Sequence, residues 1–247
     1  MTKLSVNLNK IALLRNSRAG DNPNLLEFAR LCISAGAHGL TIHPRPDQRH
    51  ARYADVYDLA ALVADYPEIE LNIEGNPTEK FMQVVLEARP RQCTLVPDDP
   101  GQLTSDHGWD VKAHENRLMK IVSQLQDKGI RSSIFLDPDP RQIEKVKDTA
   151  TDRIELYTES YARAYGGNDE QTVFEQFQKA AQLAGKLDIG VNAGHDLNQQ
   201  NLARFLTIPE ILEVSIGHAL TIESLHCGFE KTIKSYLRIM QIKAQPV

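Results

Sequence analysis

An α/β chain folded as one (β/α)8 TIM barrel with extra helices is what the sequence predicts, and three observations predict it. Eight short, mostly apolar runs recur along the 247 residues, helical patterns lie between them, and no Gly-x-Gly-x-x-Gly fingerprint follows the first run. Alternating strands and helices call for a parallel sheet, and without the dinucleotide fingerprint the closed barrel is preferred over the doubly wound sheet. A chain of this length fits such a barrel as a single domain, residues 1–247.

The strand runs are residues 4–7, 39–43, 70–74, 92–96, 132–137, 153–157, 188–192 and 213–217. Parallel strands covered on both faces read as near-continuous apolar runs, and several of these do. The first helix is marked by Leu25, Phe28, Ala29, Cys32 and Ile33, spaced to share one face, with Gly36 closing it. Weaker helical patterns cover 53–65, 78–88, 115–128, 140–149 and 198–206. Asn168 and Gln171 have capping-box spacing ahead of an apolar face made by Val173, Phe177, Ala180, Ala181 and Ala184. Leu225, Phe229, Ile233, Tyr236 and Met240 give the face of one last helix.

A net charge of -5 gives no broad attraction to nucleic acid or to an anionic membrane, so any anion must be caught locally. Cys32, Cys93 and Cys227 are far apart and lack metal-type spacing, which points to free thiols in a reducing compartment and to the cytoplasm. The N-terminus lacks the apolar stretch of a signal peptide, and no apolar run approaches the roughly 18 residues of a membrane helix.

Barrel active sites are built where the strands end. Here the first strand ends in Asn7, the second in His43, the third in Glu74, the fifth in Asp137 and the sixth in Glu155 and Tyr157. The seventh ends in Asn192 with His195 beyond it, and the eighth in Gly217 and His218. His43, Glu74 and His195 are the candidates for proton transfer, because imidazole titrates near neutrality and an enclosed carboxyl can be tuned toward it. A lone histidine is more often a hydrogen-bonded structural residue; three ionisable groups at neighbouring strand ends outweigh that reading.

Residues 39–50, Gly-Leu-Thr-Ile-His-Pro-Arg-Pro-Asp-Gln-Arg-His, carry His43 into a loop with Arg45, Arg49 and His50, an anion clamp to which Arg15 and Arg18 could add donors. Gly194 and Gly217 admit two readings, a backbone cradle for phosphate or simple tight turns. Two separate groups of this kind point to two phosphates or a bisphosphate. The same histidines and carboxylates could instead hold zinc or manganese, but Val6-Asn7-Leu8-Asn9 offers no His-x-His and no His-x-x-x-His pair occurs, so no metal is expected. His38, His107, His114 and His226 lie away from strand ends and read as surface or packing residues. Cys93, inside a strand, reads as a buried apolar group, and no Gly-x-Ser-x-Gly elbow is present. Residues 96–111, with Pro97, Pro100, Gly101, Gly108 and an exposed-looking Trp109, are a lid or a solvent loop, and 163–168, with Gly166 and Gly167, a second such segment.

Six stretches together resemble the pyridoxine 5'-phosphate synthase family of vitamin B6 biosynthesis. They are Val-Asn-Leu-Asn-Lys-Ile-Ala-Leu-Leu-Arg-Asn-Ser-Arg (6–18), Thr-Ile-His-Pro-Arg-Pro-Asp-Gln-Arg-His (41–50), Asn-Ile-Glu (72–74), Thr-Leu-Val-Pro (94–97), Val-Asn-Ala-Gly-His (191–195) and Ile-Gly-His-Ala (216–219). The resemblance implies condensation of 1-deoxy-D-xylulose 5-phosphate with 3-amino-2-oxopropyl phosphate, closing a pyridine ring with release of inorganic phosphate and water. It implies His43 and Glu74 as proton acceptors, His195 as proton donor and Glu155 as a transition-state stabiliser. Arg45, His50 and Thr104 would contact the deoxyxylulose phosphate; Asn7, Arg18, Asp196, Gly217 and His218 would contact the amino-ketone phosphate. Many members carry Asp-His where this chain has Asn9-Lys10, a pair that would also touch the deoxyxylulose phosphate. Asp196 replaces the glycine of some members, so its backbone amide rather than its carboxylate would face the phosphate. The partners implied are two phosphorylated small molecules, with no organic cofactor, nucleic acid or membrane, in a homo-octamer built from dimers. The other readings are a metal-dependent barrel hydrolase or lyase acting on a sugar phosphate, and a non-catalytic barrel that binds phosphometabolites.

Overall fold

A computed structural model describes residues 1–99, 101–102 and 104–242. Among them, eight strands close into a barrel in sequence order: β1 (Lys3–Asn7), β2 (Gly39–Ile42), β3 (Glu70–Gly75), β4 (Gln92–Leu95), β5 (Arg131–Leu136), β6 (Arg153–Tyr157), β7 (Gly190–Gly194) and β8 (Ile211–Ile216). Each neighbouring pair is parallel, including β8 with β1. The helices are α1 (Asn9–Asn16), α2 (Leu25–Ser34), α3 (Tyr53–Val63), α4 (Glu79–Ala88), α5 (Val111–Gln126), α6 (Pro140–Val146), α7 (Glu159–Ala164), α8 (Glu170–Lys186), α9 (Leu202–Phe205), α10 (His218–Cys227) and α11 (Phe229–Ile242). Compared with the sequence reading, β7 starts and ends two residues later, and β8 starts two earlier.

Local chemistry fixes several helix ends. Asn24 caps α2 by accepting from the Glu27 amide, Thr78 caps α4 through Phe81, and Asp110 caps α5 through Ala113. Gly36, at φ +98, takes the left-handed position after α2. The capping box expected at Asn168 and Gln171 does not form: Asp169 is the residue before α8, without a side-chain cap, and Gln171 instead bonds Glu175 at 2.8 Å. The single last helix is in fact two, broken at Gly228 with φ +86. Leu225 is therefore 78% exposed on α10, while Ile233, Tyr236 and Met240 of α11 are buried.

Helix α1 was not visible in the sequence pattern. It buries Ile11, Ala12 and Arg15, and Arg15 forms a two-armed ion pair with Asp55 of α3 at 2.6 and 2.9 Å. Arg15 is thus a brace between helices and not the additional anion donor the sequence offered.

The hydrophobic core is a shell outside the sheet. Leu4, Val6, Leu40, Ile42, Leu71, Ile73, Ile134, Leu136, Ile154 and Leu156 belong to the same buried apolar cluster as the helix faces. The alternate residues of each strand point the other way, and apart from Phe135 those buried inside are polar: Ser5, Thr41, Asn72, Gln92, Thr94, Ser133, Glu155, Asn192, Glu213 and Ser215. Hydrogen bonds from Gln92 of β4 to Glu213 of β8 (3.4 Å) and from Asn192 of β7 to Gln92 (3.2 Å) join strands that are not neighbours, so they cross the lumen. The strands therefore alternate, which corrects the continuous-apolar reading. Lumens of this architecture are more usually filled by Val, Ile and Leu.

Candidate active site

The inward row of each strand ends at one mouth. Asn72 links the lumen to that mouth by donating to Glu74 at 3.2 Å, while Thr94 donates to Asn72 at 3.1 Å and to Glu155 at 3.4 Å. Glu74 and Glu155 thus share one chain of hydrogen bonds. Gly194 makes room for it: a Cβ there would stand 2.3 Å from Glu155 Oε1. Gly217 does the same for Asn7, whose Cβ would be 2.9 Å away. Close approach, and not turn geometry alone, accounts for both glycines.

His43 follows β2 and is buried, its amide donating to Asn9 Oδ1 at 2.8 Å. Asn9 accordingly fixes the backbone of the histidine, while Lys10 lines the concavity between α1 and α10 together with Gln48 and Arg49. His195 follows β7 at φ +84, with Asp196 at φ +60. Two successive left-handed residues other than glycine are costly, so the surrounding structure holds this turn. His195 Nε2 lies 3.4 Å from Thr104 Oγ1, its Nδ1 lies 3.4 Å from Asp196 Oδ2, and Tyr157 packs against its ring at a centroid distance of 5.0 Å. The three candidates are not on adjacent strands, as first read. β2 and β3 lie across the ring from β7, so they face one another over the mouth.

The loop after β4 covers part of this mouth. Arg45, buried despite its place in a loop, binds Asp98 Oδ2 at 2.5 Å and the Gln102 carbonyl at 3.0 Å, and Arg49 donates to the same carbonyl. Trp109 is buried at 3% exposure, with Nε1 bonded to the Leu95 carbonyl, correcting the exposed reading. Asp137 holds the same loop by accepting from the Gly108 amide, so it is an anchor and not a mouth group. Pro100 lies outside the described residues. The 163–168 segment is a turn between α7 and α8, tied by Gly166 to Glu170. His50 is half-buried beside Arg45, His218 is exposed at the start of α10, and Arg18 is exposed just past Ser17, the C-cap of α1; among the described residues no contact ties Arg18 to the mouth. His38, read as a packing residue, accepts from the Leu4 amide at 3.1 Å. Asp98 and Glu213 were missed. The first sits in a Pro-Asp-Asp-Pro turn that looks solvated, and the second alternates with apolar residues as a surface glutamate would.

The electrostatics follow from burial. Desolvation, reinforced by Arg45, His50, Arg49 and His195, holds His43 well below its usual pKa, so its imidazole is neutral at pH 7 and able to accept a proton. Burial together with Glu155, Asp98 and Glu213 pushes Glu74 well above the carboxylate range. Burial and then Glu213 raise Glu155 to about 8, against a lowering hydrogen bond from Thr94. Glu155 therefore holds a proton at neutral pH, and Glu74 binds a proton more tightly than an exposed carboxylate would. Burial and Lys10 lower His50 to about 4. Among the described residues, no group of three His, Cys, Asp or Glu side chains is arranged to hold a metal, and no helix is long and apolar enough to cross a membrane.

A raised carboxyl favours the native state less as pH rises, because the unfolded chain loses its proton first. Glu155→Gln removes that penalty. The variant is expected to gain stability over the wild type between about pH 4.5 and 8, by up to about 1.4 kcal/mol per pH unit, while losing turnover. Denaturant unfolding at pH 5 and pH 8 checks it, and a difference independent of pH refutes it.

Residues 4–242 match the family model described as pyridoxal phosphate biosynthesis protein PdxJ. The chain belongs to the PdxJ family. A pyridoxine 5'-phosphate synthase from Bacteroides thetaiotaomicron is 52% identical over 237 residues, covering 96% of this chain and 98% of that protein. One from Albidiferax ferrireducens is 47% identical, covering 96% of each. PdxJ relatives of this kind are enzymes, so the mouth belongs to an enzyme. Among solved structures, phosphoribosyl anthranilate isomerase from Thermotoga maritima matches with a TM-score of 0.63 at 12% identity, covering 98% of this chain and 99% of that one, which shows the barrel fold alone.

Proposed function

We propose that the chain is a pyridoxine 5'-phosphate synthase, condensing 1-deoxy-D-xylulose 5-phosphate with 3-amino-2-oxopropyl phosphate. The observation that carries this reading is the convergence of His43, Glu74, Glu155 and His195 on one barrel mouth, where burial raises the proton affinity of both carboxyls. Imine formation, elimination, dehydration and ring closure each move protons and need no hydride, which is the chemistry such a set supplies.

His43, neutral at pH 7, is the first proton acceptor. Burial and the neighbouring carboxyls make Glu74 a stronger base than an exposed carboxylate, which suits it to accept a proton and return it in a later step. His195, on its strained turn, is the donor to the leaving oxygen. Glu155 steadies developing charge beneath the mouth. Arg45, His50, Thr104 and Lys10 take the deoxyxylulose phosphate, with Asn9 acting through the His43 backbone. Asn7, Arg18, Gly217, His218 and the backbone of Asp196 take the other phosphate, the Asp196 carboxylate being turned to His195.

Purified protein given both substrates is expected to form pyridoxine 5'-phosphate and inorganic phosphate. No product from authentic substrates sinks the reading. An octamer built from dimers in the cytoplasm completes the proposal. Leu14 and Leu225, 55% and 78% exposed beside a concavity of about 780 Å³ between α1 and α10, support a covered face there. Light scattering that returns the mass of one chain would remove the assembly.

A further inference from the structure

We propose that Asp98 is a displaceable counterion for Arg45: its carboxylate stands where a substrate phosphate binds that guanidinium, and phosphate enters by exchange with it. The inference rests on reading Arg45 as a phosphate contact. It adds a residue that no motif or periodicity marks.

Asp98 lies three residues past β4 and is 4% exposed. Its Oδ2 accepts from Arg45 Nη2 at 2.5 Å and from Ser105 Oγ at 2.9 Å, and stands 3.9 Å from His43 Nε2. The other arm of the Arg45 fork, Nη1, donates to the Gln102 carbonyl at 3.0 Å. Two oxygens, one of them anionic, thus engage the guanidinium as two oxygens of a phosphate would.

The second oxygen of the pair is the telling one. Asp98 Oδ1 is buried and has no hydrogen-bond partner among the described residues. A carboxylate kept for permanent structure has both oxygens satisfied, because a buried acceptor without a donor is destabilising. Burial also raises the proton affinity of Asp98 in spite of Arg45. The surroundings therefore hold this carboxylate poorly and Arg45 holds it well. A phosphate brings more charge to the same fork and releases Asp98 from an unsatisfied position.

Titration calorimetry of the full chain with inorganic phosphate tests the exchange. Asp98→Asn keeps the shape and removes the charge that competes, so Arg45-dependent binding is expected to tighten by more than about three-fold and near ten-fold, the difference between a charge-assisted and a neutral hydrogen bond. Asp98→Glu keeps the charge and should stay near wild-type affinity. Arg45→Met defines the part of the binding that depends on the fork, and should lose it with either residue at position 98. In turnover, Asp98→Asn is expected to lower KM for the phosphate substrate without raising kcat, since a ground-state competitor has been removed. Affinity in Asp98→Asn that rises by three-fold or less, or falls, overturns the proposal. Should that variant not fold, Asp98→Ser, also uncharged, is read by the same threshold. Failure of the wild type to make pyridoxine 5'-phosphate would defeat the assigned reaction and leave the phosphate titration standing. An active Asp98→Asn with unchanged phosphate affinity would defeat the counterion alone.

Discussion

Replacing His43 with alanine, or Glu74 with glutamine, is expected to slow formation of pyridoxine 5'-phosphate by roughly a hundred- to ten-thousand-fold, with the barrel still folded. The Glu74→Gln case is the cleaner one. Glutamine copies the size of Glu74 and its Oε1 can still accept from Asn72, so what it removes is the carboxyl's capacity to exchange a proton. His43→Ala empties a site beside Asp98 but leaves the Asn9 contact, which is made to the backbone amide. Steady-state rates beside circular dichroism distinguish lost chemistry from lost fold. Turnover within ten-fold of the wild type for either variant would mean that the residue moves no essential proton.

Gly194→Ala is expected to inactivate nearly as fully, by a different route. The added methyl would sit 2.3 Å from Glu155 Oε1 and 3.3 Å from its carboxyl carbon. Glu155 has little space to retreat, with Thr94 on one side and Glu213 below. Crowding of this kind costs about 1 to 3 kcal/mol, and it moves the carboxyl out of the chain that links it to Glu74. Shortening the neighbour relieves the clash, so Gly194→Ala with Glu155→Asp should be more stable than Gly194→Ala alone, a coupling that a double-mutant cycle measures. If Gly194→Ala has wild-type stability and activity, Glu155 is not held where its proton matters.

All eight strands and most helices were legible because short apolar runs and 3.6-residue faces report burial directly, even though the runs were read as continuous and in fact alternate. What escaped was whatever burial disguises. Helix α1 is short and uses a buried arginine where a pattern reader expects a leucine. The break at Gly228 hid within a continuous apolar rhythm. The lumen escaped for a deeper reason: Glu70-Leu71-Asn72-Ile73-Glu74 looks half solvated, yet both of its faces are enclosed. His43, Glu74 and His195 could be picked out as polar ends of strands, but their meeting across the ring depends on barrel closure, which strand order alone reveals. Asp98 needed the loop's path, which no periodicity encodes.

The polar axis has a consequence for evolvability. Cohesion comes from hydrocarbon packed outside the staves, while the residues that set proton affinity run up the inside. A change from Gln92, Asn192 or Glu213 to another polar side chain rearranges hydrogen bonds without emptying the oily annulus. The reaction can then be retuned from beneath, one lumen position at a time, without dismantling what keeps the molecule folded.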